Sequence, residues 1–304
     1  MRRLRLALAL LLILTISGSV FLLAIRPDEP QYQGIKLEAW LTELDDWDCE
    51  TRIEACVALE RMGPKAVSHL LRLFDENTSL LQGIRKRSIK TLFPNAAPRP
   101  SADIRNKRIC RAFFCLGQRG VTGFSPLVDR TYGARDPMPA LTALDWLLAG
   151  WGRSTQVAAG TTSPEGSEPQ LSDRSLLRVV ALSRHSDPKV QKVARTVLLR
   201  AVQCAPSKFV NVSKALRYED TQEALFALLL VERIGQMGNY TIEPLRTLLA
   251  HENPIVRLSA VSVAGRLTND TQALLPLLLG RRDDPDARVR RMSDSIIKRL
   301  RPGN

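Results

Sequence analysis

The chain of 304 residues is poor in the side chains that build metal centres and disulfide frameworks, since it has three His and five Cys. No two Cys stand at Cys-x-x-Cys spacing, and no His lies near enough in sequence to complete a zinc site of the usual form. A glycine-rich phosphate loop, a Gly-x-Ser-x-Gly elbow and a His-Glu-x-x-His motif are also missing. We therefore expect no cofactor, no metal and no small-molecule substrate, and we expect that the protein is not an enzyme.

Aromatic residues are scarce as well, at 5%, whereas hydrophobic residues make up 44% of the chain and charged residues 25%. This composition is typical of a folded globular protein and excludes a disordered or low-complexity chain. Basic residues outnumber acidic ones by 44 to 31, which gives a formal net charge of +13 at pH 7. The length suffices for one elongated domain or two compact ones.

One long apolar run is present, at residues 6–25, and three Arg precede it. A helix of this length spans about 30 Å, the hydrocarbon thickness of a bilayer. We therefore expect residues 1–26 to form a signal anchor in the cytoplasmic membrane. The N-terminus would stay inside, because arginine-rich flanks are retained there, and residues 27–304 would be periplasmic or extracellular. The alternative is a signal peptide cleaved near Ser19, which would release a secreted protein.

A repeat of 33 residues runs through the C-terminal half. Apolar residues follow each repeated small residue at offsets of three and seven, which lie on one face of a helix; the small residues are Ala194, Ala227, Ala260 and Ser293. Three of these helices are predicted to open at Asp187-Pro188, Asn253-Pro254 and Asp284-Pro285, where an Asp or Asn cap precedes a proline. The fourth helix opens at Glu219-Asp220-Thr221.

A second, shorter helix follows most of these, and the same plan recurs near the front of the chain, with one unit expected to begin at Ile84. The sequence thus predicts an all-α fold, an α-solenoid of helical hairpins. Residues 27–47 would form a juxtamembrane segment with a capping helix that buries Trp40. The N-terminal repeats would occupy residues 48–150, and the C-terminal repeats would occupy residues 173–304. Residues 151–172 lack periodicity and are rich in Gly, Ser, Thr and Pro, which predicts a flexible insertion of unknown role.

The string from Asn253 to Gly265 resembles the short bacterial HEAT-like repeat, also known as the PBS lyase HEAT-like repeat. The order of motifs in Tyr32–Leu41 and Gly63–Leu73 resembles that of a bacterial family of membrane-anchored HEAT-repeat proteins. These resemblances imply an architecture and no activity. They also imply that Asp or Asn and Arg side chains form ladders between adjacent hairpins, here Arg52, Asn253, Arg257, Asp286 and Arg290.

Positive charge is concentrated in residues 84–119, which hold ten Lys and Arg and one acidic residue. One interpretation is a surface for an anionic partner such as a lipid headgroup, an acidic protein or nucleic acid. Its candidate residues are Arg85, Lys86, Arg87, Lys90, Arg105, Lys107, Arg108 and Arg111. The other interpretation, which we prefer, is a solvated helix face together with arginines of the ladders.

Cys56, Cys110 and Cys115 fall within predicted helices where Ala would serve equally well, so we expect them in the core. In an oxidising compartment, two short-range disulfides are candidates, one between Cys49 and Cys56 and one between Cys110 and Cys115. The sequence does not set the redox state of these residues or of Cys204.

The sequence favours a membrane-anchored interaction scaffold that presents the second helices of its hairpins to a protein partner. The first alternative is a basic-surface adaptor for an anionic ligand. The second is a HEAT-like lyase or glycosylase, a comparison suggested by Asp145-Trp146, which would require a polar cluster in the groove. A nucleic-acid partner is not expected for an anchored, exported chain, and the sequence does not identify the protein partner.

Overall fold

The computed structural model of the protein describes residues 29–78, 100–132, 134, 136–158, 171–235, 241–267 and 271–300. None of the helices within these ranges has the length and apolarity that crossing a bilayer requires. The predicted anchor, residues 6–25, lies outside the described residues, as do the cations Arg85, Lys86, Arg87 and Lys90.

The described chain starts with a small hairpin that the sequence did not predict. Strands β1 (Gln31–Tyr32) and β2 (Ile35–Lys36) pair antiparallel, and positive φ angles at Gln33 (53°) and Gly34 (78°) form the turn between them. Helix α1 (Leu37–Glu43) follows and packs against the first repeat. Trp40 is 5% exposed and stacks near Tyr32, with 6.4 Å between ring centroids, which confirms the predicted packing role of this helix.

Helical hairpins make up the rest of the described chain. In chain order they are α2 (Cys49–Met62) with α3 (Pro64–Thr78), α4 (Ala102–Leu116) with α5 (Phe124–Thr131), α6 (Met138–Ala158) with α7 (Asp173–Leu182), α8 (Pro188–Cys204) with α9 (Phe209–Ala215), α10 (Thr221–Ile234) with α11 (Ile242–Leu249), α12 (Pro254–Ala264) with α13 (Thr271–Leu279), and finally α14 (Ala287–Leu300). Short 3-10 segments at Gly117–Gly123 and Pro206–Lys208 precede α5 and α9.

The even-numbered helices from α2 to α14 form a first layer, in which each helix packs against the next. The odd-numbered helices from α3 to α13 form the second layer. The core lies between the layers, and the four small residues of the 33-residue repeat are each 0% exposed: Ala194, Ala227, Ala260 and Ser293. The predicted α-solenoid is therefore the fold of the described residues.

Acidic or amide side chains cap the repeats at intervals of 33 residues. Asp187, Asp220, Asn253 and Asp286 accept backbone N–H groups of the first turn at 2.8, 2.8, 2.9 and 2.7 Å. The prediction that the last helix opens at Asp284-Pro285 was wrong, because α14 begins at Ala287 behind the cap Asp286. The proline therefore stands before the cap, in the turn, rather than in the first helical turn.

The turn before several of the helices is held by a hydrogen bond to the side chain two positions before the cap. His185, His251 and Asp284 accept the backbone N–H of the cap itself at 3.0, 2.9 and 2.9 Å, and Asp46 does the same for Asp48 at 2.9 Å. Since a backbone N–H can only donate, the Nδ1 atoms of both His act as acceptors in this arrangement. These two isolated histidines thus have a structural explanation.

Helix α6 runs further than the sequence predicted. It continues to Ala158 and buries Trp151, so residues 151–158 belong to a repeat and not to the predicted insertion. The reason is that Leu147, Leu148 and Trp151 continue the apolar stripe of the helix. Residues 159–170 lie outside the described residues.

Helix α4 packs directly against both α2 and α3. No other described hairpin therefore separates these elements. The repeat that we predicted from Ile84 onward lies outside the described residues.

Candidate interaction surfaces

Ion pairs link successive helices of the second layer, and we call them the second-layer ladder. Asp75 of α3 binds Arg130 of α5 through two contacts of 2.6 and 2.5 Å, and Asp129 of α5 binds Arg178 of α7. Asp173 of α7 binds Lys208 at 2.9 Å and Asn211 of α9 at 3.0 Å. The hydrogen bond from Lys208 is the largest influence that holds the pKa of Asp173 below its usual range. The members of this ladder do not share the 33-residue spacing, so the repeat pattern of the sequence did not predict it.

The predicted ladder forms in part, at the C-terminal repeats. Arg257 binds Asp284 of the next repeat in bidentate fashion at 2.8 and 2.9 Å, and the two side chains are 9% and 0% exposed. Its Nη1 also donates to the carbonyl oxygens of His251 and Glu252 at 2.9 and 2.7 Å. The hydrogen bond from Arg257 lowers the pKa of the Asp284 carboxyl.

The remaining predicted ladder residues behave differently from one another. Asn253 donates to Thr221 Oγ1 of the preceding repeat at 3.2 Å, as expected of a ladder residue. Arg290 repeats the carbonyl contacts of Arg257 exactly one repeat later, at 2.6 and 3.0 Å from the oxygens of Asp284 and Pro285. Asp286 caps its own helix and pairs with Arg288, which lowers the pKa of its carboxyl. Arg52 is exposed on α2 and forms no ion pair with any residue that the structure describes, so its ladder role is not seen.

The described members of the basic cluster are bound within the chain. Arg108 and Arg111 both contact Asp45 beyond α1, with 2.6 Å between Arg108 Nε and the carboxylate. Lys107 pairs with Asp103 at 3.0 Å, and Arg105 donates to the carbonyl oxygen of Pro100 at 2.6 Å. The contacts of Arg108 and Arg111 join separate elements and support the interpretation that these two residues serve the fold, whereas those of Arg105 and Lys107 are local and exposed.

Cys56 and Cys115 form a disulfide that joins α2 to α4, with 4.9 Å between their Cα atoms. The short-range pairings that we left open do not form. Seven helical residues separate the Cα atoms of Cys49 and Cys56 by about 10 Å, and residues five apart point to different sides of a helix. Cys110 and Cys204 are free thiols whose pKa values burial raises to about 12 and about 11, and Cys49 is free and exposed.

Two other groups of polar residues have structural partners. Asp145 binds Arg200 of α8 at 2.6 Å, and the ring of Trp146 packs edge-on against Phe114, so neither residue supports the glycosylase comparison. The cluster Glu29, Glu38 and His69 brings its oxygen and nitrogen atoms within 4.8 Å of one another. Because Arg72 places a guanidinium nitrogen 3.0 Å from Nδ1 of His69, a cation already sits at this cluster and we assign it no metal.

Large side chains are exposed on both layers. On the second layer, Tyr132 is 73% exposed beneath the guanidinium of Arg178, and Leu177, which precedes Arg178 in α7, is 45% exposed. On the first layer, a groove of about 390 Å³ runs between α8 and α10. Aromatic and arginine side chains of this kind are enriched where proteins bind one another.

Comparison with known proteins supports the repeat fold for part of the chain. Residues 211–294 match a family model described as HEAT repeats. Curated protein sequences give no match. Among solved structures, a crystal structure of an engineered protein is 16% identical with a TM-score of 0.37, covering 88% of this chain and 97% of its own. A designed armadillo repeat protein is 14% identical with a TM-score of 0.21, covering 87% of this chain and 100% of its own. TM-scores this low carry no argument, so the repeat assignment depends on residues 211–294 and on the geometry above.

Proposed function

We propose that the protein is a non-enzymatic interaction scaffold, held by residues 6–25 at the outer face of a bacterial cytoplasmic membrane. The observation that carries this proposal is the contact between the exposed Tyr132 and the half-buried Arg178 on the second layer, where Leu177 of the same helix is also exposed. One pair of the second-layer ladder, Asp129 with Arg178, joins α5, which ends next to Tyr132, to α7. A rigid surface loses little conformational entropy when a partner binds, and stacked repeats extend such a surface without a deep pocket.

The bridge between Cys56 and Cys115 supports export. Disulfides persist in oxidising compartments such as the periplasm and are rare in the cytosol. The predicted orientation of the anchor places the repeats in such a compartment, with the arginine-rich N-terminus left behind.

The basic-surface adaptor is the weaker proposal. Each of the four described candidate cations has a partner within the chain. An anionic ligand would have to displace these partners or bind elsewhere.

In-cell photo-crosslinking of the full-length chain tests the scaffold proposal. A photoreactive residue at Leu177 is expected to give one discrete adduct with another protein, and Tyr132→Ala should weaken that adduct. The same residue at Lys214, exposed on α9 of the same layer, is the matched control and should give none. Equal adducts from both positions, or none from either, would contradict the proposed surface. A C-terminal alkaline phosphatase fusion tests the orientation, since this enzyme is active only after export.

A further inference from the structure

The groove between α8 and α10 combines apolar and cationic side chains. Leu199, Leu225, Phe226 and Leu229 supply the apolar part, while Lys192 and Arg195 supply two positive charges. Its lining includes no carboxylate. The Arg195 guanidinium lies 5.2 Å above the Phe226 ring, and its Nε atom is buried without a hydrogen-bond partner among the described residues. A groove of this composition fits an amphipathic helix that carries acidic residues beside an apolar ridge.

Helix α2 of the same chain has such a face. Ile53 and Val57 stand one turn apart on the exposed side of α2 and are 58% and 43% exposed. The exposed carboxylates of Glu50, Glu54 and Glu60 surround them. On the helical wheel, Glu54 and Glu60 lie on opposite sides of the Ile53–Val57 pair. We call this face the α2 ridge.

We propose that the α2 ridge of one copy docks into the α8–α10 groove of a second copy. Ile53 and Val57 would then cover the exposed Leu229 and the half-buried leucines of the groove, and the glutamates would face Lys192 and Arg195. Arg52 and Arg61 are also exposed on α2, so three carboxylates stand against two guanidinium groups and the net charge of the helix stays opposite to that of the groove.

The contact is heterologous, because ridge and groove are different surfaces of the same chain. Every copy has one of each, so successive copies join head to tail and form an open chain or a closed ring. Both surfaces belong to the first layer, and the second-layer cluster around Tyr132 stays available. The test of self-association is therefore independent of the test of the proposed function, and either can fail without the other.

Charge reversal in the full-length chain, purified in detergent, tests the docking. One variant carries Lys192→Glu with Arg195→Glu, and the other carries Glu54→Lys with Glu60→Lys. We expect sedimentation velocity to show association of the wild-type chain, and each variant alone to raise the dissociation constant by about tenfold or more. The control, Lys65→Glu with Lys214→Glu, changes as much charge on exposed second-layer positions and should associate like the wild-type chain.

Mixing the two reversed variants gives the decisive readout. In each variant alone, ridge and groove have the same sign of charge, whereas in the mixture every ridge meets a groove of opposite charge. Association should therefore return in the mixture, and this return also shows that both variants are folded. A photoreactive residue at Ile53 should crosslink to peptides from residues 191–229 of another copy. A wild-type chain that stays monomeric, reversed variants that associate like the control, or a mixture that stays dissociated would overturn the proposal.

Discussion

Gly150 of α6 lies close to the backbone of α4, and its replacement by Ala tests the packing of the first layer. A Cβ atom at this position would lie 2.1 Å from the carbonyl oxygen of Phe114 and 2.8 and 2.9 Å from two further backbone atoms of that residue. Because all three are backbone atoms, no side-chain rotation can relieve the clash. The helices would have to separate, at the cost of contacts along the α4–α6 interface.

Gly152 of the same helix provides the control, since a Cβ atom there would meet nothing within 4 Å. Alanine at an exposed helical position gains about 1 kcal/mol over glycine, and this gain applies to both variants. Overpacking costs about 1–3 kcal/mol, with the upper end expected for a rigid backbone neighbour. We therefore expect Gly152→Ala to stabilise the protein by about 1 kcal/mol and Gly150→Ala to destabilise it by about 2 kcal/mol.

Chemical denaturation of the two variants, followed by circular dichroism, measures this difference. Hydrogen exchange should locate the loss of protection in Gly150→Ala to α4 and α6. Equal stability of the two variants would refute the close approach of these helices.

Three further predictions concern the C-terminal repeats. Arg257→Ala removes the bidentate partner of the buried Asp284 carboxylate, which keeps the backbone N–H of Asp286 and Arg281 at 3.9 Å, and should cost about 3 kcal/mol in the free energy of unfolding. Arg288→Ala breaks a pair whose guanidinium is exposed to solvent and should cost far less. Similar losses in denaturation midpoints would contradict the buried pair. Folding lowers the pKa of Asp284, so the stability that its carboxylate contributes is present above the ordinary Asp pKa of about 4 and is lost as pH falls below that value. The wild-type chain should therefore lose more stability than Arg257→Ala between pH 7 and pH 3. Equal losses would count against the lowered pKa. Ser293→Ala removes a buried hydroxyl without a partner among the described residues, at a position where three other repeats have Ala, and should raise stability by up to about 1 kcal/mol in thermal denaturation.

Periodic signals in the sequence predicted the repeats well. The small residues at 33-residue spacing all lie in the core, and the caps follow the same spacing. Where a local motif disagreed with the period, as at Asp284-Pro285, the period was correct. Local motifs are ambiguous because Asp-Pro also suits a turn.

Contacts between residues distant in the chain were not predictable from periodicity. Cys56 and Cys115 are 59 residues apart, and the partner of Arg108 is 63 residues away at Asp45. Neither pairing leaves a pattern in one sequence, because it depends on α4 packing directly against α2. For the same reason, the composition of residues 84–119 left a binding surface open as one interpretation, while Arg108 and Arg111 in fact contact Asp45 from α4.

The central claim is that the chain is an exported solenoid in which α4 packs against α2. The Cys56–Cys115 bridge requires both an oxidising compartment and this packing. The measurement is peptide mapping of the full-length protein after free thiols are alkylated in intact cells and the protein is digested without reduction. We predict one cross-linked pair of peptides that contains Cys56 and Cys115, with Cys49 alkylated as a free thiol. Alkylation of both Cys56 and Cys115, or bridges from Cys49 to Cys56 and from Cys110 to Cys115, would contradict the account.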